Sequence, residues 1–132
     1  MIVVDSSALV AIADREPERY QLLEAIETSA GAVISSINAV ETGLILIGRD
    51  RLQDVKQLNL WLGGLRIEVE IAAPSHSAVL AAYLSYGRSH HPAGLNLGDC
   101  FAYALAKQLN APLLYKGNDF ALTDIRSALQ PT

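Results

Sequence analysis

A chain of 132 residues, 51% of them hydrophobic, has the length of one domain and enough apolar material for a core that needs no staple. Its single cysteine, Cys100, excludes an internal disulfide and a zinc-type thiolate cluster and fits a reducing compartment, the cytoplasm. A net charge of −4 argues against broad, non-specific nucleic-acid binding, no apolar run reaches the ~20 residues of a membrane span, and MIVVDSSALV lacks the basic start of a secretory signal.

The β-branched run MIVV predicts a strand buried on both faces, and after Asp5-Ser6-Ser7 the segment ALVAIA turns helical. PERYQLLEAIETSA, with Pro17 in its first turn and Leu22, Leu23 and Ile26 on one face, predicts an amphipathic helix. AVISS is a second strand, INAVETGLILIGRD a helix over about 38–49, and RLQDVKQLNLWLGGL another helix, ended by Gly63-Gly64. RIEVEI alternates with period two, as a strand near a sheet edge does. SHSAVLAAYLSYGRS is helical up to Gly87, HHPAGLNLG is loop, and DCFAYALAKQLN is the strongest helix. APLLY is the last strand and FALTDIRSAL a final short helix. Strands alternate with helices and no two strands meet across a hairpin-length turn. The pattern predicts an α/β fold with a central parallel sheet between helical layers, as one domain over residues 1–132 without repeats or linkers.

In such a sheet the carboxyl ends of the strands and the amino ends of the following helices share one edge, where ligands collect. Asp5 ends the first strand, Glu41 and Asp99 lie in the first turns of helices, and Asp119 follows the last strand. Topology therefore brings four carboxylates towards one cleft. Singly, each has a structural explanation. Asn38-Ala-Val-Glu41 and Asn96-Leu-Gly-Asp99 both have the form of a capping box, and Asp5 and Asp119 each precede a predicted helix as a cap would. Together, four carboxylates in a poorly solvated cleft repel one another unless a cation screens them, and oxygen-only ligands select a hard ion such as Mg2+ or Mn2+.

VDSSAL, the glutamate of INAVETGL, the block LNLGDCFAYALAK and the ending LLYKGNDF together resemble a PIN domain of the VapC type, the ribonuclease toxin of toxin–antitoxin pairs, from Met1 to about Ile125. The resemblance implies a three-layer α/β/α PIN-like fold, hydrolysis of RNA phosphodiesters with Mg2+ or Mn2+ to leave 5′-phosphates, a VapB-like antitoxin, and a homodimer. It matches Asp5, Glu41 and Asp99 to the family's first three acids, with Asp5 and Asp99 as direct metal ligands. Many relatives carry Thr-x-Asp after the last strand, whereas the ungapped match here reads Tyr115-Lys116-Gly117; the fourth acid is then Asp119, with Asp124 of LTDI the other choice. Glu41 and Asp119 would orient water or recruit a second ion, and Ser6 or Ser7 would steady a carboxylate.

A metal ion reconciles the acidic chain with an RNA substrate, because only local basic groups are then needed. Arg88, His90 and His91 of YGRSHHPAG and Lys116 of YKGND are the expected RNA contacts, beside the simpler reading of both segments as solvated loop. His90-His91, with no third His or Cys close by in sequence, does not make a metal site. The alternative is a non-catalytic doubly wound signalling or protein-interaction domain with an acidic cation-binding cleft. A phosphoacceptor receiver needs paired acids after its first strand, where DSSA has one, and Ser7 breaks the Asp-x-Asp pattern of a phosphatase. ERYQLLEAIE and AVETGLILIG are expected to present an apolar stripe to a partner helix.

Overall fold

The computed structural model describes residues 1–129. Strands β1 (Ile2–Val4), β2 (Ala32–Ser35), β3 (Ile67–Glu70) and β4 (Leu113–Leu114) form one parallel sheet in the order β3-β2-β1-β4. Their side chains alternate between two faces. Ile2, Val4, Ala32, Ile34, Ile67 and Leu114 pack against α1 (Ser6–Ala13), α2 (Arg19–Thr28), α3 (Ser36–Gly48) and α4 (Val55–Gly64), through Leu9, Leu22, Ala39 and Leu58 among others. Val3, Val33 and Leu113 pack on the opposite face against α5 (His76–Tyr86) and α6 (Leu97–Gln108), through Val79, Ala82 and Leu105. The three layers expected from the sequence are present. Truncating a fully buried leucine of either cluster, such as Leu9 or Leu105, to alanine would cost roughly 2–5 kcal/mol.

The chain steps outward from β1 to β3 and then returns to the other side of β1 to make β4. This reversal opens a crevice beyond the carboxyl ends of β1 and β4. The two outer strands differ. β3 is an open edge, as its alternation predicts: Ile67 is buried while Glu68 and Val69 are exposed. β4 is covered by residues 126–128, since Leu113 N–H donates to Arg126 O at 2.8 Å and Ala128 N–H to Leu113 O at 2.9 Å.

That covering strip replaces the expected terminal helix. FALTDIRSAL supplies a 3-10 turn over Phe120–Leu122 only. Thr123 Oγ1 donates to Phe120 O at 2.7 Å and accepts from Ile125 N–H at 3.2 Å, which stops the turn, and the unpaired edge of β4 takes the rest. The helix over 38–49 begins earlier, at Ser36, because Ser35 Oγ caps it by accepting from Asn38 N–H at 3.0 Å. α4 runs through Gly63-Gly64 and ends beyond them, at Leu65 and a left-handed Arg66 with φ 59°.

Candidate active site at the carboxyl edge of the sheet

β1 delivers Asp5 directly into the crevice. Its extended backbone makes it the N-cap of α1, with Oδ2 accepting from Ser7 N–H at 3.0 Å. The residue is buried, and its second oxygen, Oδ1, has no hydrogen-bond partner. Burial pushes the carboxyl up to about 7, against the pull of the Ser7 hydrogen bonds and with added repulsion from Asp99 and Glu41. A buried, unpaired carboxylate oxygen is among the costliest groups a fold can hold, and a bound cation removes that cost.

Asp99 stands in the first turn of α6. The capping box expected from Asn96-Leu-Gly-Asp99 is formed: Asn96 Oδ1 accepts from Asp99 N–H at 2.8 Å, and Asp99 Oδ2 accepts from Asn96 N–H at 3.0 Å. Burial holds this carboxyl above the usual carboxylate range; the Asn96 amide opposes it, Glu41 and Asp119 add to it, and Arg88 lowers it. Cap and site are therefore compatible roles for Asp5 and Asp99. In each, Oδ2 serves the helix and Oδ1 takes no part in the cap.

Glu41 belongs to no capping box. Asn38 lies inside α3 rather than at its start, and its side chain Nδ2 donates to Glu41 Oε1 at 2.8 Å and to Gly98 O at 3.0 Å. Ser6 Oγ donates to the same Glu41 oxygen at a long 3.4 Å. A Cβ on Gly98 would overlap the Glu41 carboxylate, so any larger residue there must push that carboxylate aside. Asn38 as a ligand of Glu41 and Gly98 as its seat were both missed by the sequence reading. The available signal was a glycine in the first turn of the strongest helix, where it marks a close approach.

Asp119 precedes the 3-10 turn without capping it; it is exposed, and its charge reaches Asp99. Asp124 is committed elsewhere, accepting from Tyr103 Oη at 2.6 Å and from Lys107 Nζ at 2.8 Å, which draws its carboxyl below the usual range. Of the four expected RNA contacts, Arg88 is the one whose charge acts on a cleft acid. Lys116 is paired with Glu16 and, at 3.5 Å, with Glu18, while its backbone N–H donates to Ser7 Oγ at 3.0 Å. His90 and His91 stand edge-on against Tyr83 and Tyr86, and His91 Nδ1 accepts from Ala93 N–H at 3.0 Å. Burial pushes the Cys100 thiol up to about 11, which makes it a core residue and no nucleophile. Among the described residues no three His, Cys, Asp or Glu side chains form a ready-made ion cage. The donor set that faces the crevice is nonetheless all oxygen, the chemistry of a hard divalent ion, and the orphaned Asp5 oxygen fits such an ion.

The family model that matches this chain is that of the PIN domain, over residues 2–125. The chain is 43% identical over 129 residues to ribonuclease VapC42 of Mycobacterium tuberculosis, covering 96% of this chain and 98% of the relative. It is 40% identical over 131 residues to ribonuclease VapC30 of the same organism, covering 98% and 100%. Among solved structures it is similar to M. tuberculosis VapC20, a sarcin-ricin loop cleaving toxin, with a TM-score of 0.69 at 14% identity over 96% of this chain and 99% of that one. It is also similar to FitAcB from Neisseria gonorrhoeae, with a TM-score of 0.59 at 19% identity over 96% of each chain.

Proposed function

The chain belongs to the PIN-domain family, and from that membership we propose that it is a metal-dependent ribonuclease, the toxin of a VapBC-type pair, working through Asp5, Glu41, Asp99 and Asp119. The observation that carries the site is the buried, unpaired Oδ1 of Asp5, on a carboxyl that also feels the charges of Asp99 and Glu41. A protein-interaction module would have no use for so costly a group. Asp5 and Asp99 would hold Mg2+ or Mn2+, each through the oxygen its helix cap leaves over. When bound, the ion supplies positive charge against the phosphoryl oxygens and makes water more acidic.

The chain's own groups do the rest. Glu41, fixed by Asn38, orients the attacking water and draws on its proton. Asp119, at the open side of the cleft near Asp99, completes the acidic wall, and Arg88 takes an RNA phosphate. Water oxygen bonds to phosphorus as the bond from phosphorus to the 3′-oxygen breaks, giving a 5′-phosphate and a 3′-hydroxyl. No side chain need become a nucleophile. Lys116 can join RNA binding only by leaving Glu16 and Glu18.

The partner reading follows the same lines. Residues 1–132 are one PIN-like unit that forms a homodimer and is restrained by a VapB-like antitoxin. Exposed Val40 and Leu44, one turn apart on α3, support a helix-docking surface, whereas α2 turns Leu22 and Ile26 into the core and does not present the expected stripe. Among the described residues no helix is long and apolar enough to cross a membrane, and we place the protein in the cytoplasm, where RNA and antitoxin are met. The test is cleavage of total RNA with Mn2+ or Mg2+ against the same reaction in EDTA, with the product ends mapped. Fragments with 5′-phosphates formed only with metal are expected; no cleavage under either condition would remove the reading.

A further inference from the structure

Asn38 is wholly buried and has a partner for every hydrogen-bonding group of its side chain. Nδ2 gives one hydrogen to Glu41 Oε1 at 2.8 Å and the other to Gly98 O at 3.0 Å, while Oδ1 accepts from Ser35 Oγ at 2.5 Å. Ser35 Oγ in turn accepts from Asn38 N–H at 3.0 Å. The amide has one workable orientation. Turned over, its oxygen would face a carboxylate and a carbonyl, two groups that can only accept.

The residues joined in this way matter more than their number. Gly98 immediately precedes Asp99, so one planar amide ties the Glu41 carboxylate on α3 to the turn of α6 that carries Asp99. Gly98 also borders the same carboxylate directly, since a Cβ there would occupy the place the carboxylate now holds. An apolar side chain would pack α3 against α6 without the burden of buried polar atoms. A rigid two-pronged donor instead fixes where a charged group sits.

We propose that Asn38 is a positioning residue for the ribonuclease reaction, holding the Glu41 carboxylate in register with Asp99 before metal or RNA arrives. The role rests on the function proposed above. It is preorganisation of a group that acts on the attacking water, so its loss should appear in turnover and not in binding.

The test compares wild type, Asn38→Ala and Gly98→Ala, each checked for a folded circular-dichroism spectrum. RNA cleavage gives kcat and KM, and calorimetry with Mn2+ alone gives the metal Kd. Asn38→Ala should lose about 10–100-fold in kcat, as supporting partners of a site do, with KM for RNA and the Mn2+ Kd each within about 3-fold of wild type. Gly98→Ala displaces Glu41 without opening a hole and should behave alike, so it stands in if Asn38→Ala does not fold. Full kcat in either folded variant overturns the positioning role and leaves the ribonuclease reading intact. Parallel loss of kcat and Mn2+ affinity overturns it too, because a scaffold that collapses takes both. A wild type that neither cleaves RNA nor binds Mn2+ removes the proposed function and this role with it.

Discussion

The two ends of the sheet are built on opposite terms. Around the amino ends of the strands lies a hollow of about 760 Å³, walled by Met1, Leu23, Gly31, Arg66 and Glu68, with Glu27 beside them. Its charged side chains reach water and are energetically ordinary. Of the four buried polar residues among the described ones, Asp5, Ser35 and Asn38 stand at the carboxyl ends and Thr42 one turn further along α3. Three of them bond to one another or to the backbone of α3, and Asp5 alone keeps an unpartnered oxygen. The proposed chemistry is assigned to the carboxyl end on that unrelieved electrostatic cost and not on the size of a hollow.

That contrast breaks first at the acids. Asp5→Asn and Asp99→Asn should each lower metal-dependent RNA cleavage by at least about 10³-fold while keeping the folded spectrum, since an amide retains the shape and loses the ligand charge. Undiminished cleavage would move the chemistry elsewhere. Asp119→Asn should lose about 10-fold, as a group acting through water does, and Asp124→Asn should leave cleavage unchanged because its carboxylate already serves Lys107 and Tyr103. Rates measured across a Mn2+ titration decide between them, and the reverse order would make Asp124 the fourth acid.

A third measurement sharpens the cost argument itself. With the Asp5 carboxyl raised from 3.8 to about 7, the folded state holds the proton over a range where the unfolded chain has released it. Wild-type stability in EDTA should therefore fall as pH rises from about 4 through about 7. In urea unfolding at pH 8, Asp5→Asn should be more stable than wild type by on the order of 2 kcal/mol, and that advantage should vanish by pH 4. An advantage independent of pH would mean that burial of charge is not its source. The smallest expected effect is at the other end: Glu27→Gln should leave cleavage within about 2-fold and stability within about 0.5 kcal/mol.

Local patterns in the sequence foretell the layers, the β3 edge and the Asn96–Asp99 capping box, since alternation, cap chemistry and helical periodicity act over a few residues. The same Asn-x-x-acid pattern misleads at Asn38–Glu41 for a definite reason. Ser35 ends β2 and caps α3, so the helix starts before Asn38 and frees its amide for a distant turn. Nothing within reach of local sequence distinguishes the two cases. FALTDIRSAL has helical periodicity, but the open edge of β4 and the pull of Tyr103 and Lys107 on Asp124 override it. Lys116 reads as a free cation until Glu16 and Glu18, a hundred residues earlier in the chain, are seen beside it.

The strip that covers β4 also sets how this part of the molecule breathes. β4 has two residues, bonded inward to β1 through Val3 N–H to Pro112 O and Asp5 N–H to Leu114 O, both at 2.9 Å, and outward to residues 126–128. The amide of Leu113 is thus shielded from solvent by a three-residue tail segment instead of by the body of the sheet. Hydrogen exchange at Leu113 then reports the lifting of that segment, a local opening far easier than loss of either core cluster. The loop bearing Lys116 and Asp119 departs directly from β4 but is held by ties of its own, Lys116 N–H to Ser7 Oγ and, further on, Tyr103 and Lys107 to Asp124.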